Sequence, residues 1–224
     1  MRVTAIEGHR IWAASYDDGL NPLLALEARV LLERLTGLAG SRFLDVACGT
    51  GRWTRMAQQR GAQVFGVDLC PEMLFEAAGK SGLAGRLSIG DACRLPVADS
   101  VADLTLCSFA LGYIAPLRRA IVEMARVTRK AARIIVTDLH PCAVAAGWTR
   151  SFRSEWQVYE MDHHPHAIAD WEAAAASAGL ALEWRLDACF AEPERAIFNR
   201  AGKDSSFEEL RRIPAVLAMC WSKP

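Results

Sequence analysis

No stretch of this 224-residue sequence stays apolar for the roughly 20 residues that a membrane-spanning helix needs. The first residues, Met1-Arg2-Val3-Thr4-Ala5-Ile6-Glu7, also lack the apolar run of an export signal, so a cytoplasmic location is expected. An excess of either charge is missing too. Lysine plus arginine number 26, aspartate plus glutamate 26, and the formal net charge is zero. A nucleic-acid partner is therefore not expected, because phosphate backbones are held by clustered positive charge. The seven cysteines, at 48, 70, 93, 107, 142, 189 and 220, form no Cys-x-x-Cys pair. An odd, dispersed set reads as reduced thiols packed as small apolar groups. Internal repeats and low-complexity tracts are absent, and histidines number only five. What is plentiful is apolar material, at 52% of residues with a mean hydropathy of +0.10. That supplies a large core for one domain spanning 1–224, with at most a small lid.

Apolar strands alternate with helical segments along the first two thirds. Asn21 and Pro22 precede an apolar helical spacing over Leu23–Leu35, with Asn21 as cap and Pro22 at the first helical position. A strand at Phe43–Ala47 leads to a helix from Gly51 to Gln59, and a strand at Gln63–Asp68 to a helix from Pro71 to Lys80. Further strands are expected at Arg86–Ile89, Ala102–Ser108 and Ala132–Asp138, with a helix at Leu117–Thr128. Uninterrupted apolar strands separated by helices imply a parallel sheet covered on both faces. Beyond it, a helix is expected at His166–Ala178 with Pro165 at its start, a strand at Leu180–Leu186 and a last strand at Pro214–Trp221.

The first strand ends Leu44-Asp45-Val46-Ala47-Cys48-Gly49-Thr50-Gly51, an acid followed by a double-glycine turn, and the second ends in Asp68. A glycine turn lets backbone approach a ligand without a Cβ in the way. A carboxylate about twenty residues further on is where the hydroxyls of a ribose would sit. A dinucleotide site would continue to a third glycine, but here Gly49-Thr50-Gly51-Arg52-Trp53-Thr54 offers a threonine behind a tryptophan. Asp45 is also awkward beside a pyrophosphate and useful beside a cation. S-adenosylmethionine (SAM) carries an ammonium, a sulfonium and a ribose without phosphate. An NAD-dependent oxidoreductase and a non-catalytic binding protein of the same fold stay open as alternatives.

The glycine turn resembles the first motif of class I SAM-dependent methyltransferases. Gly90-Asp91-Ala92 with Leu95-Pro96, the run Ala102 to Ile114, Arg126-Val127 and Ile134–Asp138 are similar to later segments of that family. The likeness covers about residues 12–138 and is closest in layout to stand-alone quinone and natural-product methylases. One departure is Arg129-Lys130-Ala131-Ala132, where the family commonly has Lys-Pro-Gly-Gly. The resemblance implies a Rossmann-like, seven-stranded, mostly parallel α/β sheet with its last strand antiparallel. It also implies SAM as the methyl donor, a small-molecule acceptor with O-methylation ahead of N or C, and no metal. Segments 9–22, 139–165 and 188–213 would form the lid.

On that reading Asp68 takes the ribose hydroxyls, while Asp91 and Ala92 read the adenine edge. Leu69 and Met73 flank the ring, and Asp45, Ala47, Gly49 and Gly51 build the turn beside the methionine ammonium. Ser108 and Phe109 lie beneath the methionine moiety and Tyr16 covers it. His140, just past the fifth strand, is the first candidate for a catalytic base or substrate ligand, and His163 or His164 facing the pocket is the second. A metal at Asp162–His166 is disfavoured, since neighbouring side chains of an extended chain diverge and Pro165 breaks helical pairing. Trp148, Phe152, Trp156 and Tyr159, spaced four, four and three, form one stripe if helical. That stripe is either lid core or an aromatic wall for a flat, partly apolar substrate.

Overall fold

Seven strands form the central sheet, most of them separated along the chain by helices. The structure, a computed structural model, describes residues 1–224. It opens with strand β1 (Arg2–Val3) and helix α1 (Ala5–Trp12), where Thr4 and Glu7 cap each other reciprocally. In α2 (Pro22–Leu31) the Asn21 side chain accepts from Leu23 N at 2.9 Å, with proline at the first helical position. Next come β2 (Arg42–Val46), α3 (Arg52–Gln59), β3 (Gln63–Asp68), α4 (Pro71–Ala78), β4 (Leu87–Ile89), β5 (Ala102–Ser108), α5 (Leu117–Val127) and β6 (Thr128–Leu139). The remainder is α6 (Pro141–Ala145), β7 (Ser151–Ser154), β8 (Gln157–Met161), α7 (Ile168–Ser177), β9 (Ala181–Ala188), α8 (Glu192–Arg200), α9 (Asp204–Leu210) and β10 (Val216–Ser222).

The sheet runs β4-β3-β2-β5-β6-β10-β9, all parallel except β10, which is antiparallel to both neighbours. This is the Rossmann-like arrangement that the sequence implies. Strand order reverses between β2 and β5, so a crevice opens at their carboxyl ends, the usual ligand position in such sheets. Alternation along β6 explains the two covering layers. Ile134 and Val136 pack with Ile121, Met124 and Trp171 on one face, while Ile135 joins Leu31, Phe43 and Trp53 on the other. Five of the seven cysteines are buried in these layers or beside them. No helix is long and apolar enough to cross a membrane.

Several boundaries differ from the sequence pattern for local reasons. Helix α2 ends at Leu31 rather than Leu35 because the chain tightens into a turn, with Arg34 N donating to Leu31 O at 2.9 Å. Helix α7 starts at Ile168, not at Pro165 or His166, because residues 164–166 are tied to the loop after β5. His164 N donates to Gly112 O at 2.6 Å and the His166 ring bonds Ile114 O at 2.9 Å. Strand β6 begins at Thr128 rather than Ala132, and where its pairing with β5 shifts register between Thr128 and Arg133, Ala131 takes the positive φ (56°) that glycine adopts freely.

Residues 148–161 are not helical. They form a β-hairpin, β7 with β8, which joins β1 in a small three-stranded sheet over the carboxyl ends of the main strands. Glu155, with φ 51°, and Trp156 make the turn. Phe152 faces Tyr159 directly across the pair, their rings 5.3 Å apart, and Phe152 also stacks on Trp12 at 4.8 Å. Trp156 is 96% exposed at the tip, and Trp148 packs beside Phe190 at 6.0 Å. Segment 188–213 folds as α8 and α9 and closes a separate cluster of Leu26, Phe190, Phe198 and Phe207. There the buried Glu194 accepts from Arg29 Nε at 2.9 Å.

Candidate active site

Three chain reversals build the site. After β2, Ala47, Gly49 and Gly51 all take positive φ (55°, 54° and 77°). A Cβ on Gly51 would lie 2.8 Å from Leu83 Cδ1 and 3.2 Å from Ala77 Cβ, so only glycine fits where α3 begins. After β3, the Asp68 carboxylate receives Gly49 N at 2.7 Å on one oxygen and Cys70 N at 2.8 Å on the other. These two amides fix its plane against the glycine turn. Burial raises the Asp68 pKa, against those hydrogen bonds. After β5, Phe109 also takes a positive φ, 52°, at a strand end. Left-handed non-glycine residues at such ends store strain of the kind found at binding sites.

Asp45 is 1% exposed and accepts from Thr54 Oγ1 at 2.6 Å. Thr54 stands where a dinucleotide fingerprint has its third glycine, and its hydroxyl serves the strand-end acid instead. Burial pushes the Asp45 carboxyl up to about 7, with the Thr54 hydrogen bond opposing. Next to it lies a buried carboxylate that sequence reading missed, Glu27 of α2. It accepts from Arg52, from Trp53 Nε1 at 3.2 Å, from Ser108 Oγ at 2.6 Å and from Thr137. The Arg52 guanidinium, held by Glu27 and stacked 4.6 Å from the Trp53 ring centre, presents a fixed cation to the cavity.

Asp45, Arg52 and Trp53 line a cavity of about 1040 Å³, mouth included, with Glu27 and Thr54 behind them. Tyr16, Asp45, Ala47, Gly49, Asp68, Leu69, Met73, Asp91, Ala92, Ser108 and Phe109 all reach it; Gly51 does not, acting instead as the start of α3. Asp91 stays exposed, its Oδ1 receiving Cys93 N at 2.8 Å. Leu69 and Met73 differ sharply, at 55% and 1% exposed. Burial lifts the Tyr16 phenol to about 12. Over the glycine turn Asp17 receives Thr50 Oγ1 at 2.9 Å and Lys80 Nζ at 2.6 Å, pinning the 13–22 segment as a cover.

A second cavity of about 560 Å³, mouth included, adjoins the first, and His9, Tyr16, Phe109 and Tyr113 belong to both linings. Trp12, Leu23, Leu24, Leu139 and Met161 make it largely apolar, with Arg150 as its cation. Arg150 pairs with Asp138, donates to Phe109 O at 3.1 Å and sits 4.5 Å over the Tyr113 ring.

The structure places the expected substrate aromatics elsewhere. None of Trp148, Phe152, Trp156 and Tyr159 lines either cavity; Phe152 acts at one remove, by backing Trp12. His140 is 3% exposed and caps α6, its Nδ1 accepting from Cys142 N at 3.0 Å while Nε2 lies 3.1 Å from Asp187. With both ring nitrogens engaged and no wall of either cavity at its edge, it has no proton to take from a ligand. His163 and His164 border a third, small cavity with Asp138 and Arg150, apart from the first.

Comparison with known proteins agrees with this geometry. Residues 44–136 match the family described as Methyltransferase domain. The chain is 32% identical to malonyl-[acyl-carrier protein] O-methyltransferase of Serratia marcescens, over 70% of this chain and 58% of that protein. It therefore spans less than two thirds of that relative's length. It is 31% identical to demethylmenaquinone methyltransferase of Thermobifida fusca, over 68% of this chain and 70% of that one. Among solved structures, a SAM-dependent methyltransferase of Mesorhizobium loti superposes with a TM-score of 0.71 at 21% identity, covering 90% of this chain and 99% of that chain. Geranyl diphosphate C-methyltransferase of Streptomyces coelicolor, crystallised with S-adenosyl-L-homocysteine (SAH), gives 0.67 at 14% identity, covering 90% and 79%.

Proposed function

The chain belongs to the class I SAM-dependent methyltransferases, and from that premise we propose that it methylates a small, partly apolar acceptor held in the second cavity, at oxygen ahead of nitrogen or carbon. The observation that carries this is the shared wall: two cavities, one rich in nucleoside-type donors and acceptors, the other apolar, meet at four residues. Oxygen is placed first because one of the two relatives is named an O-methyltransferase. When bound, SAM supplies a methyl group already activated by the sulfonium. The protein's task is then to bind, align and keep water out.

The donor set fits SAM. Asp68, its plane fixed by two amides, would accept from the ribose hydroxyls. Asp91 and the Ala92 amide would meet the adenine edge, between Leu69 and Met73. Asp45 would face the ammonium, and Arg52, with its pairing to Glu27, would hold the carboxylate of the methionine moiety above Ser108 and Phe109. Tyr16 and its segment would form the cover.

The Asp45 role sets a pH dependence. An ammonium favours the ionised carboxyl, and that carboxyl titrates near 7. Below this value the attraction is lost; above it the attraction is complete. SAH affinity is thus expected to rise as pH increases through about 7 and then level off, and Asp45→Asn is expected to flatten the rise. Calorimetric titration across pH checks this, and a flat wild-type profile contradicts it.

The function itself is tested by incubating the protein with methyl-labelled SAM and a small-molecule extract of the cell that expresses it. Mass spectrometry is expected to find one small molecule that gains a single methyl group. Label entering only protein or nucleic acid would overturn the reading. In the same preparation, SAH at about 100 times its Kd should add about 2.7 kcal/mol, a melting shift of roughly 5–10 °C, while NAD adds none.

A further inference from the structure

The boundary that the two cavities share is where an acceptor atom would meet the methyl group, and only three of the side chains common to both linings can exchange a proton: His9, Tyr16 and Tyr113. Tyr16 stays a phenol at neutral pH, its pKa held near 12 by burial. His9 is differently placed. It stands on the last turn of α1, and its Nδ1 lies 2.8 Å from the Ala5 carbonyl oxygen. A carbonyl can only accept, so in the neutral ring the proton sits on Nδ1 and the lone pair on Nε2. Nε2 has no hydrogen-bond partner in the protein, and the residue lines both cavities. The ring is held edge-on against Tyr113, centroids 5.1 Å apart and planes at 90°.

From this geometry we infer that His9 is the catalytic base of the transfer, its Nε2 taking the proton of an acceptor hydroxyl or N–H group as that atom is methylated. The inference rests on the methyltransferase reading above and deepens it, because it restricts the acceptor to a group with a proton to lose. The step balances. The acceptor's X–H bond breaks and its proton goes to Nε2, giving imidazolium. The X–C bond forms as the donor's C–S bond breaks with its electron pair left on sulfur. The sulfonium's positive charge is replaced by that of the imidazolium.

The surroundings suit this role. Burial is the largest influence on His9 and lowers its pKa; the Asp68 carboxylate raises it and the Arg150 guanidinium lowers it. The ring is therefore unprotonated at neutral pH, with its Nε2 lone pair available. The charge of Asp68, which offsets part of the burial effect, also favours the imidazolium once it forms. Neither His140, a helix cap bonded on both nitrogens, nor His163 and His164, beside the third cavity, places a free lone pair at the boundary of the first two.

The test uses the full chain labelled with [15N]histidine and saturated with SAH, read by long-range 1H–15N correlation spectra over a pH series, with His9→Gln giving the assignment. The expected result is an Nδ1–H, Nε2-unprotonated ring at neutral pH that titrates below the ordinary histidine value of 6.5. With the acceptor found by labelled transfer, His9→Gln is expected to lower the neutral-pH rate about 10²- to 10⁴-fold and to recover as pH approaches the acceptor's own ionisation. An Nε2–H tautomer, a ring still protonated at neutral pH, or an unchanged rate–pH profile in His9→Gln overturns the His9 assignment alone. Wild-type spectra that do not respond to SAH overturn the methyltransferase reading on which it rests.

Discussion

Asp68→Asn is expected to weaken SAH binding by roughly 10- to 150-fold, the equivalent of about 1.5–3 kcal/mol for a hydrogen bond to a charged group. The carboxylate has a double duty. Each oxygen already takes one backbone amide, from Gly49 at 2.7 Å and Cys70 at 2.8 Å, and each keeps a lone pair for a ribose hydroxyl. Asparagine replaces one acceptor by an NH2 donor, so one of those amides meets another donor and the ribose loses a partner. The glycine turn should loosen as well, at about 1–3 kcal/mol of stability for an amide left unpaired. Calorimetry with SAH reads the first effect and thermal unfolding the second. Unchanged affinity in a folded variant would remove Asp68 from the binding site.

Glu27→Ala should give the largest loss of stability, a fall in melting temperature of roughly 6–20 °C. One carboxylate, fully buried, satisfies Arg52, Trp53, Ser108 and Thr137 together. Removing the buried partner of an ion pair typically costs about 3–5 kcal/mol; here Arg52, 31% exposed, is left unpaired, and the Trp53, Ser108 and Thr137 donors lose their acceptor. In a chain of this size each kcal/mol moves the midpoint by about 2–4 °C. Arg52 would also be released from the position where the donor's carboxylate is expected, so SAH affinity should fall with stability. A shift below about 2 °C in a scanning melt would show that the network is not holding the strand ends.

The parallel sheet was legible because its signals are local. The largely apolar runs at Gln63–Asp68 and Ala102–Ser108 each end in a polar residue, and the strands observed have those same limits. The acids at strand ends could likewise be read by position, and Asp45, Asp68 and Asp91 all reach one cavity. The aromatic stripe misled for a geometric reason. A spacing of four keeps residues on one face of a helix and equally on one face of a strand, so Trp148, Phe152 and Trp156 could not decide between them. The turn at Glu155 and Trp156 then sets Tyr159 opposite Phe152 despite its odd spacing.

The histidines show the same limit. His140 adjoins a strand end in sequence but is consumed as a helix cap, whereas His9 lies far from every strand-end motif and reaches the site only because α1 folds across it. Glu27 and Arg52 are separated by a strand and a turn. Their pairing is a tertiary fact with one faint local trace, an acid within the apolar run Leu23 to Leu32.

The central claim is that the glycine turn after β2 and the acid ending β3 hold one adenosine between them. The structure of a crystal grown with SAH tests it most directly. The account predicts the ribose hydroxyls on Asp68, the adenine beside Asp91 and Ala92, and the sulfur aimed at the boundary that His9, Tyr16, Phe109 and Tyr113 form between the two cavities. SAH bound elsewhere, or bound with Asp68 turned away from the sugar, would contradict it.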